Sequence, residues 1–184
     1  MRRATVSRVR HSAYIALFAA LLVICTWIAV PTQPPFTMQT FAVFCASLCL
    51  GRRAAVSVGV YLALGALGVP VFALWGGGIG HLAGPTGGFI LGFLPAAFLA
   101  GWIGEKSKHS AVRIAGCAAG MLLCYALGTF WYAYTTGGTG TVTAALLSCV
   151  LPFLVPDGIK IVLAAVLSRI LVRHVVFFGT DGKK

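Results

Sequence analysis

Positive charge in this chain falls in four clusters, and long apolar runs lie between them. The clusters are Arg2, Arg3, Arg8 and Arg10; Arg52 and Arg53; Lys106, Lys108 and Arg113; and Arg169, Arg173, Lys183 and Lys184. Of the 14 Lys and Arg, only Lys160 stands apart. The runs approach the roughly 20 apolar residues that a helix needs to cross bilayer hydrocarbon. A soluble domain covers itself with about 25% charged residues. Here only 9% are charged and 59% are hydrophobic, so most of the surface has to face lipid. Six runs can be drawn, over 12–30, 36–50, 54–74, 87–104, 111–134 and 156–178. The expected fold is an all-α membrane protein: one integral-membrane domain over residues 1–184 with six transmembrane helices.

Local punctuation supports these bounds. Pro31, Pro34 and Pro35 stop the first run, because proline has no N–H and clashes with the preceding turn. The first run follows a basic start and is long enough to span, and no clear cleavage site follows it, so it is taken as a retained helix. Gly51-Arg52-Arg53 closes the second run and Glu105 to Lys108 the fourth. The three remaining connections, 31–35, 75–88 and 135–141, carry no Lys or Arg. Basic and uncharged connections therefore alternate without exception. Basic loops stay on the cytoplasmic side, which puts both termini in the cytoplasm.

Several function classes drop out. A net charge of +11 in a soluble protein would suggest nucleic acid, but these basic residues sit in loops with no interleaved aromatics, and no nucleic-acid partner is expected. Cys25, Cys45, Cys49, Cys117, Cys124 and Cys149 form no CxxC. Cys45 and Cys49 lie one helical turn apart without His or carboxylate neighbours, so they suit a small apolar role better than a metal or a disulfide framework. No phosphate-binding GxxxxGK[ST] loop occurs. None of His11, His81, His109 and His174 has another His, a Cys or an acid near it in sequence, so no catalytic residue is assigned and an enzyme is not expected. His81, in a loop, either touches a ligand or is solvated.

Two features ask for more than packing. Asp157 and Lys160 lie toward the external end of the last helix, and spacing i, i+3 puts them on one face. Pro156 suits the first turn of that helix, with Asp157 just inside it. A charge in hydrocarbon costs about 2.5–3.5 kcal/mol on insertion scales, so the pair should face the bundle interior or a polar cavity. It either binds a ligand or braces its own helix, and both roles are compatible. The second feature is Gly84-Pro85-Thr86-Gly87-Gly88, preceded by Gly76-Gly77-Gly78-Ile79-Gly80. Such glycine density lets backbone or ligand approach closely, and its external position fits a lid. Ala16 and Ala20, Gly88 and Gly92, and Gly116 and Gly120 are small-residue pairs that permit close helix contact. Trp27, Trp102, Trp131, Tyr132 and Tyr134 suit interfacial anchors, whereas Trp75 either anchors or covers an apolar ligand.

Four segments occur in order: Pro34 to Phe41 (PPFTMQTF), Gly65 to Phe72 (GALGVPVF), Gly84 to Phe93 (GPTGGFILGF) and Pro156 to Lys160 (PDGIK). Together they resemble the BioY family, the biotin-specific substrate-binding components of energy-coupling-factor vitamin transporters. The likeness runs from about Ser12 to Arg173. It implies biotin bound near the external side of six helices in a bacterial-type plasma membrane. It also implies a transmembrane coupling subunit and two ATPase subunits as partners, with ATP used only by them and no cofactor in this chain. The family's AxxxA face for the coupling subunit falls on Ala16 and Ala20, and its ligand-touching aspartate and lysine fall on Asp157 and Lys160.

Biotin's ureido N–H groups want an acceptor such as Asp157, and its carbonyl or carboxylate wants donors such as Lys160. Backbone around Gly84, Thr86 and Gly87, and the polar groups of Thr37, Gln39 and Thr40, are further candidates, with Phe72 and Trp75 over the apolar ring. One departure stands out: family members often carry a polar residue just after Pro-Val-Phe, where this chain has Ala73-Leu74-Trp75. Some family members work without the usual partners, so a solitary transporter stays open, as does a component for another small apolar carboxylate or vitamin.

Overall fold

The computed structural model describes residues 2–32, 34–107, 109–137 and 140–174. Helix α1 spans Arg2–Trp27. Two-residue strands β1, Ala29–Val30, and β2, Phe36–Thr37, pair antiparallel with Ala29 opposite Thr37. Then come α2 (Gln39–Leu50), a 3-10 turn at Gly51–Arg53, and α3 (Ala54–Ala66). A second 3-10 turn, Ala73–Trp75, and the short α4, Ile79–Ala83, lead to α5, Gly87–Lys106, and α6, Ser110–Thr136. Finally α7, Gly140–Ala145, passes through a π turn at Leu146–Val150 into α8, Leu151–His174.

Five helical stretches among the described residues are long and apolar enough to cross a membrane: Val9–Trp27, Gln39–Ala66, Gly87–Lys106, Ser110–Thr136 and Val142–Leu171. The second of these is a hairpin. Gln39 Nε2 donates to Tyr61 OH at 3.0 Å across 22 residues. A straight helix would hold those residues about 33 Å apart. The chain reverses at Gly51, whose φ of +61° suits only glycine and whose Cα lies hard against the Glu105 carboxylate. The two halves, α2 and α3, restore the six-helix count.

Helix α2 is the hub, packed against α1, α3, α5 and α8. Of its 12 residues only Phe41 is not fully buried. That is why its apolar residues run all the way round. The small-residue pairs of α5 and α6 each face the other helix at different levels: a Cβ at Gly120 would come 2.6 Å from the Ala96 carbonyl, and one at Gly92 would come 3.1 Å from Cys124 Sγ. Close backbone approach without side-chain cost is what such pairs supply. All six cysteines are buried as small core residues.

Three expectations need correction. The third helix stops at Ala66, not residue 74, because Gly68 turns the chain at φ +95° and Pro70 follows. The last helix is already formed at Leu151, so Pro156 lies inside it and Asp157 is not near a helix start. The missing N–H groups of Pro152 and Pro156 are accommodated next to a π turn instead of ending the helix. The first helix stops at Trp27, not residue 30, and the second starts at Gln39, not residue 36, because Ala29–Val30 and Phe36–Thr37 pair as a β ribbon. Residues 175–178 of the expected last helix lie outside the described residues.

The two ends of the bundle differ. At one end Arg52 pairs with Glu105 (Nε–Oε2 3.4 Å), Lys106 Nζ sits 3.4 Å over the Trp102 ring, and Arg113 donates to the Leu48 carbonyl. At the other, Trp27 Nε1 donates to the Pro70 carbonyl (2.9 Å), Trp27 stacks on Trp75, and Trp131 Nε1 donates to the Gly84 carbonyl (3.0 Å). The charged and uncharged connections thus gather at opposite ends.

Candidate ligand-binding cleft

A cleft opens at the uncharged end and takes in about 700 Å³, its mouth included. Pro34, Pro35, Ala73, His81 and Thr86 stand around the mouth. Phe89, Ile90 and Phe93 of α5 and Met121 and Cys124 of α6 make an apolar wall, continued by Cys149 and Phe153. The polar groups concentrate where the first turn of α2 meets α8: Thr37, Gln39, Thr40, Asp157 and Lys160, joined by Tyr125 from α6.

Asp157 and Lys160 are 3% and 4% exposed, so their charges have almost no water and depend on protein partners. Lys160 Nζ donates to Asp157 Oδ1 at 2.9 Å and to the Thr37 carbonyl at 2.7 Å, and it sits 3.9 Å over the Phe36 ring. Thr40 Oγ1 donates to Asp157 Oδ1 at 2.9 Å, and Tyr125 OH donates to Oδ2 at 2.7 Å. A carboxylate offers about four lone-pair positions and an ammonium three N–H groups. These bonds leave one acceptor position on Oδ2 and one ammonium N–H without a hydrogen-bond partner among the described residues, and both side chains line the cleft. The pair is both braced and incompletely used.

The sequence explains the placement. The i, i+3 spacing turns both side chains of α8 toward α2, and the β ribbon brings the Thr37 carbonyl and the Phe36 ring over Lys160. Phe36 in turn stacks on Phe153 at 5.9 Å. Gln39 is held by Tyr61, whose OH also lies 3.4 Å from Thr26 Oγ1.

Of the residues singled out from sequence, Gln39, Thr40, Thr86, Asp157 and Lys160 come together at the cleft. Phe72 does not reach its wall: it is fully buried, edge-on to Tyr61 at 5.5 Å and stacked on His81 at 5.3 Å. His81 therefore reaches the mouth while Phe72 supports it from below. Trp75 lies on the outer surface, 64% exposed against Trp27. Gly84 gives its carbonyl to Trp131, and Gly87 packs on the Leu82 carbonyl, so between them only Thr86 lines the cleft. Ala16 and Ala20 are exposed on the outer face of α1, beside Leu17 and Ile24. Sequence reasoning passed over Tyr125, Phe36 and the apolar wall. A tyrosine deep in the apolar run 111–134 was the available signal, since a buried phenol needs a hydrogen-bond partner.

Residues 1–176 match the sequence model of the BioY family. A protein named "Biotin transporter BioY" from Thermotoga maritima is 39% identical over 154 residues, which cover 83% of this chain and 89% of that one. "Probable biotin transporter BioY" from Pyrococcus horikoshii is 39% identical over 164 residues, 88% of this chain and 96% of its own. "Biotin transporter BioY" from Rhodobacter capsulatus is 35% identical, covering 90% and 94%. In fold, the chain is similar to a crystal structure described as the S-component for biotin from an ECF-type ABC transporter. The TM-score there is 0.80 at 24% identity, over 91% of this chain and 93% of that one. A family match over nearly the whole length, on a bundle with these spans, makes this chain a member of the BioY family.

Proposed function

We propose that this chain captures biotin at the mouth of the cleft and serves its uptake as the substrate-specific component of an energy-coupling-factor transporter. The observation that carries this reading is the buried Asp157–Lys160 pair, which keeps an acceptor and a donor at the polar end of a largely apolar cleft. Biotin has matching parts. An N–H of its flat ureido ring suits the remaining lone pair on Asp157, and its carbonyl or carboxylate suits the remaining Lys160 N–H. The sulfur-containing ring suits Phe89, Ile90, Phe93 and Met121, the mainly apolar lining that small-molecule sites have.

The uncharged end then faces outward and the basic end, with both termini, faces the cytoplasm of a bacterial-type plasma membrane. The exposed Ala16–Ala20 face of α1 is the surface offered to a coupling subunit, whose two ATPases supply the energy. Ligand release then needs the pair to be reached from the other side, and we assign that reorientation to the partners.

Retention of labelled biotin by the purified protein tests the reading. Wild-type protein should hold biotin against excess riboflavin, thiamine and folate, and Asp157→Asn and Lys160→Met should each lose retention. Equal retention by both variants would remove the site assignment. Displacement by another vitamin would remove the substrate.

A further inference from the structure

The charged end carries a second, smaller crevice, lined by Leu48, Ser110, Arg113, Ala165, Ser168 and Arg169. It lies where the last turn of α2 and the first turn of α6 meet α8. Two guanidinium groups share it. Arg113 is half-buried and donates to the Leu48 carbonyl, and Arg169 is exposed. Neither has a carboxylate partner among the described residues. The chain has three acids: Glu105 pairs with Arg52, Asp157 with Lys160, and Asp181 lies outside the described residues. Two positive groups that line one crevice repel each other, and an anion between them would offset that repulsion. A guanidinium has five N–H donors in a fork that matches phosphate oxygens, and Arg113 spends one of its five on Leu48.

The surroundings say what carries the anion. Along α8, Ile159, Val162, Val166 and Ile170 are all about half exposed and recur at helical spacing, forming an apolar stripe beside Arg169. Val112 continues the exposed apolar surface on α6. Trp102, 41% exposed beneath Lys106, sits at the same end, as tryptophans do at headgroup depth. A free anion would use the crevice alone, whereas a lipid would use the crevice and the stripe together. We propose that the open mouth of this small crevice takes the phosphate of an acidic phospholipid, with Arg113 and Arg169 on the headgroup and the acyl chains along α8. This assignment is independent of what the outer cleft binds.

Native mass spectrometry of the full chain in detergent tests it, with phosphatidylglycerol and phosphatidylcholine of identical acyl chains and with inorganic phosphate. Phosphatidylglycerol adducts should exceed phosphatidylcholine adducts and persist in millimolar phosphate. Arg113→Gln or Arg169→Gln should each lower the phosphatidylglycerol adduct roughly fivefold, the effect of one basic residue at an anionic surface. Arg53→Gln, at the same end but outside the crevice, should leave it unchanged. Should Arg113→Gln fail to fold, the exposed Arg169→Gln carries the test alone. Equal retention of both lipids, displacement by phosphate, an equal loss in Arg53→Gln, or no loss in either crevice variant would each overturn the proposal.

Discussion

Among the described residues, two acid–base pairs of nearly the same chemistry lie in opposite settings. Asp157–Lys160 is buried in the uncharged half, with Thr40, Tyr125 and the Thr37 carbonyl completing its bonds. Arg52–Glu105 lies at the basic end with side chains 62% and 39% exposed, and Glu105 also accepts the Arg52 backbone N–H. Water and ions screen the second pair, so it needs few protein partners. The first has to be supplied with partners from two other helices and a strand. That supply is what makes a ligand site: a desolvated pair with unspent hydrogen-bonding capacity gains more from a matching ligand than a hydrated one can.

The comparison can be broken in three ways. The largest effect is expected from removing one buried partner. Lys160→Met leaves the Asp157 carboxylate buried without its counter-ion, a situation that costs about 3–5 kcal/mol. Thermal unfolding in detergent should show Asp157→Asn and Lys160→Met each strongly destabilised, and the double variant less destabilised than the two losses added together. Strict additivity would mean that the two side chains do not act as a pair. A middle effect is expected for Tyr125→Phe, which removes one donor to a charged acceptor, worth about 1.5–3 kcal/mol. Its biotin retention should fall while its fold survives, as circular dichroism would confirm; unchanged retention would exclude Tyr125 from positioning Asp157. The smallest effect is expected at the exposed pair. Arg52→Gln should change stability by about 1 kcal/mol or less, with biotin retention intact. A large loss there would show that the Gly51 reversal depends on Glu105 more than on its backbone.

Much of this contrast was legible in the amino-acid order, for a physical reason. Charge placement relative to a bilayer is a one-dimensional property, so the runs, the two kinds of connection and the isolated Asp157 and Lys160 could be located without coordinates. What joins them could not. Thr40 and Asp157 are 117 residues apart, and nothing local to either names the other. Tyr125 looked like one more aromatic in an apolar run. Phe72 and Trp75 were assigned to the ligand as apolar rings at the end of the third run and the start of the glycine-rich connection, yet past the turn at Gly68 one points inward beneath His81 and the other outward onto Trp27. Proline was misjudged in the opposite sense. Pro156 suggested a helix start, but it lies inside a helix that a π turn precedes, as membrane helices allow.

The burial of α2 bears on how the chain enters the membrane. At 12 residues it is about 18 Å long, well short of a hydrocarbon core of about 30 Å, and it carries Gln39, Thr40 and Ser47. A segment of that kind has little reason to leave the translocon by itself. Glycosylation mapping of nascent chains truncated at successive points would show α2 integrating only once α3 has emerged behind it. Biogenesis therefore starts from a hairpin, and the strand of sequence that ends up innermost is one the lipid never has to accept alone.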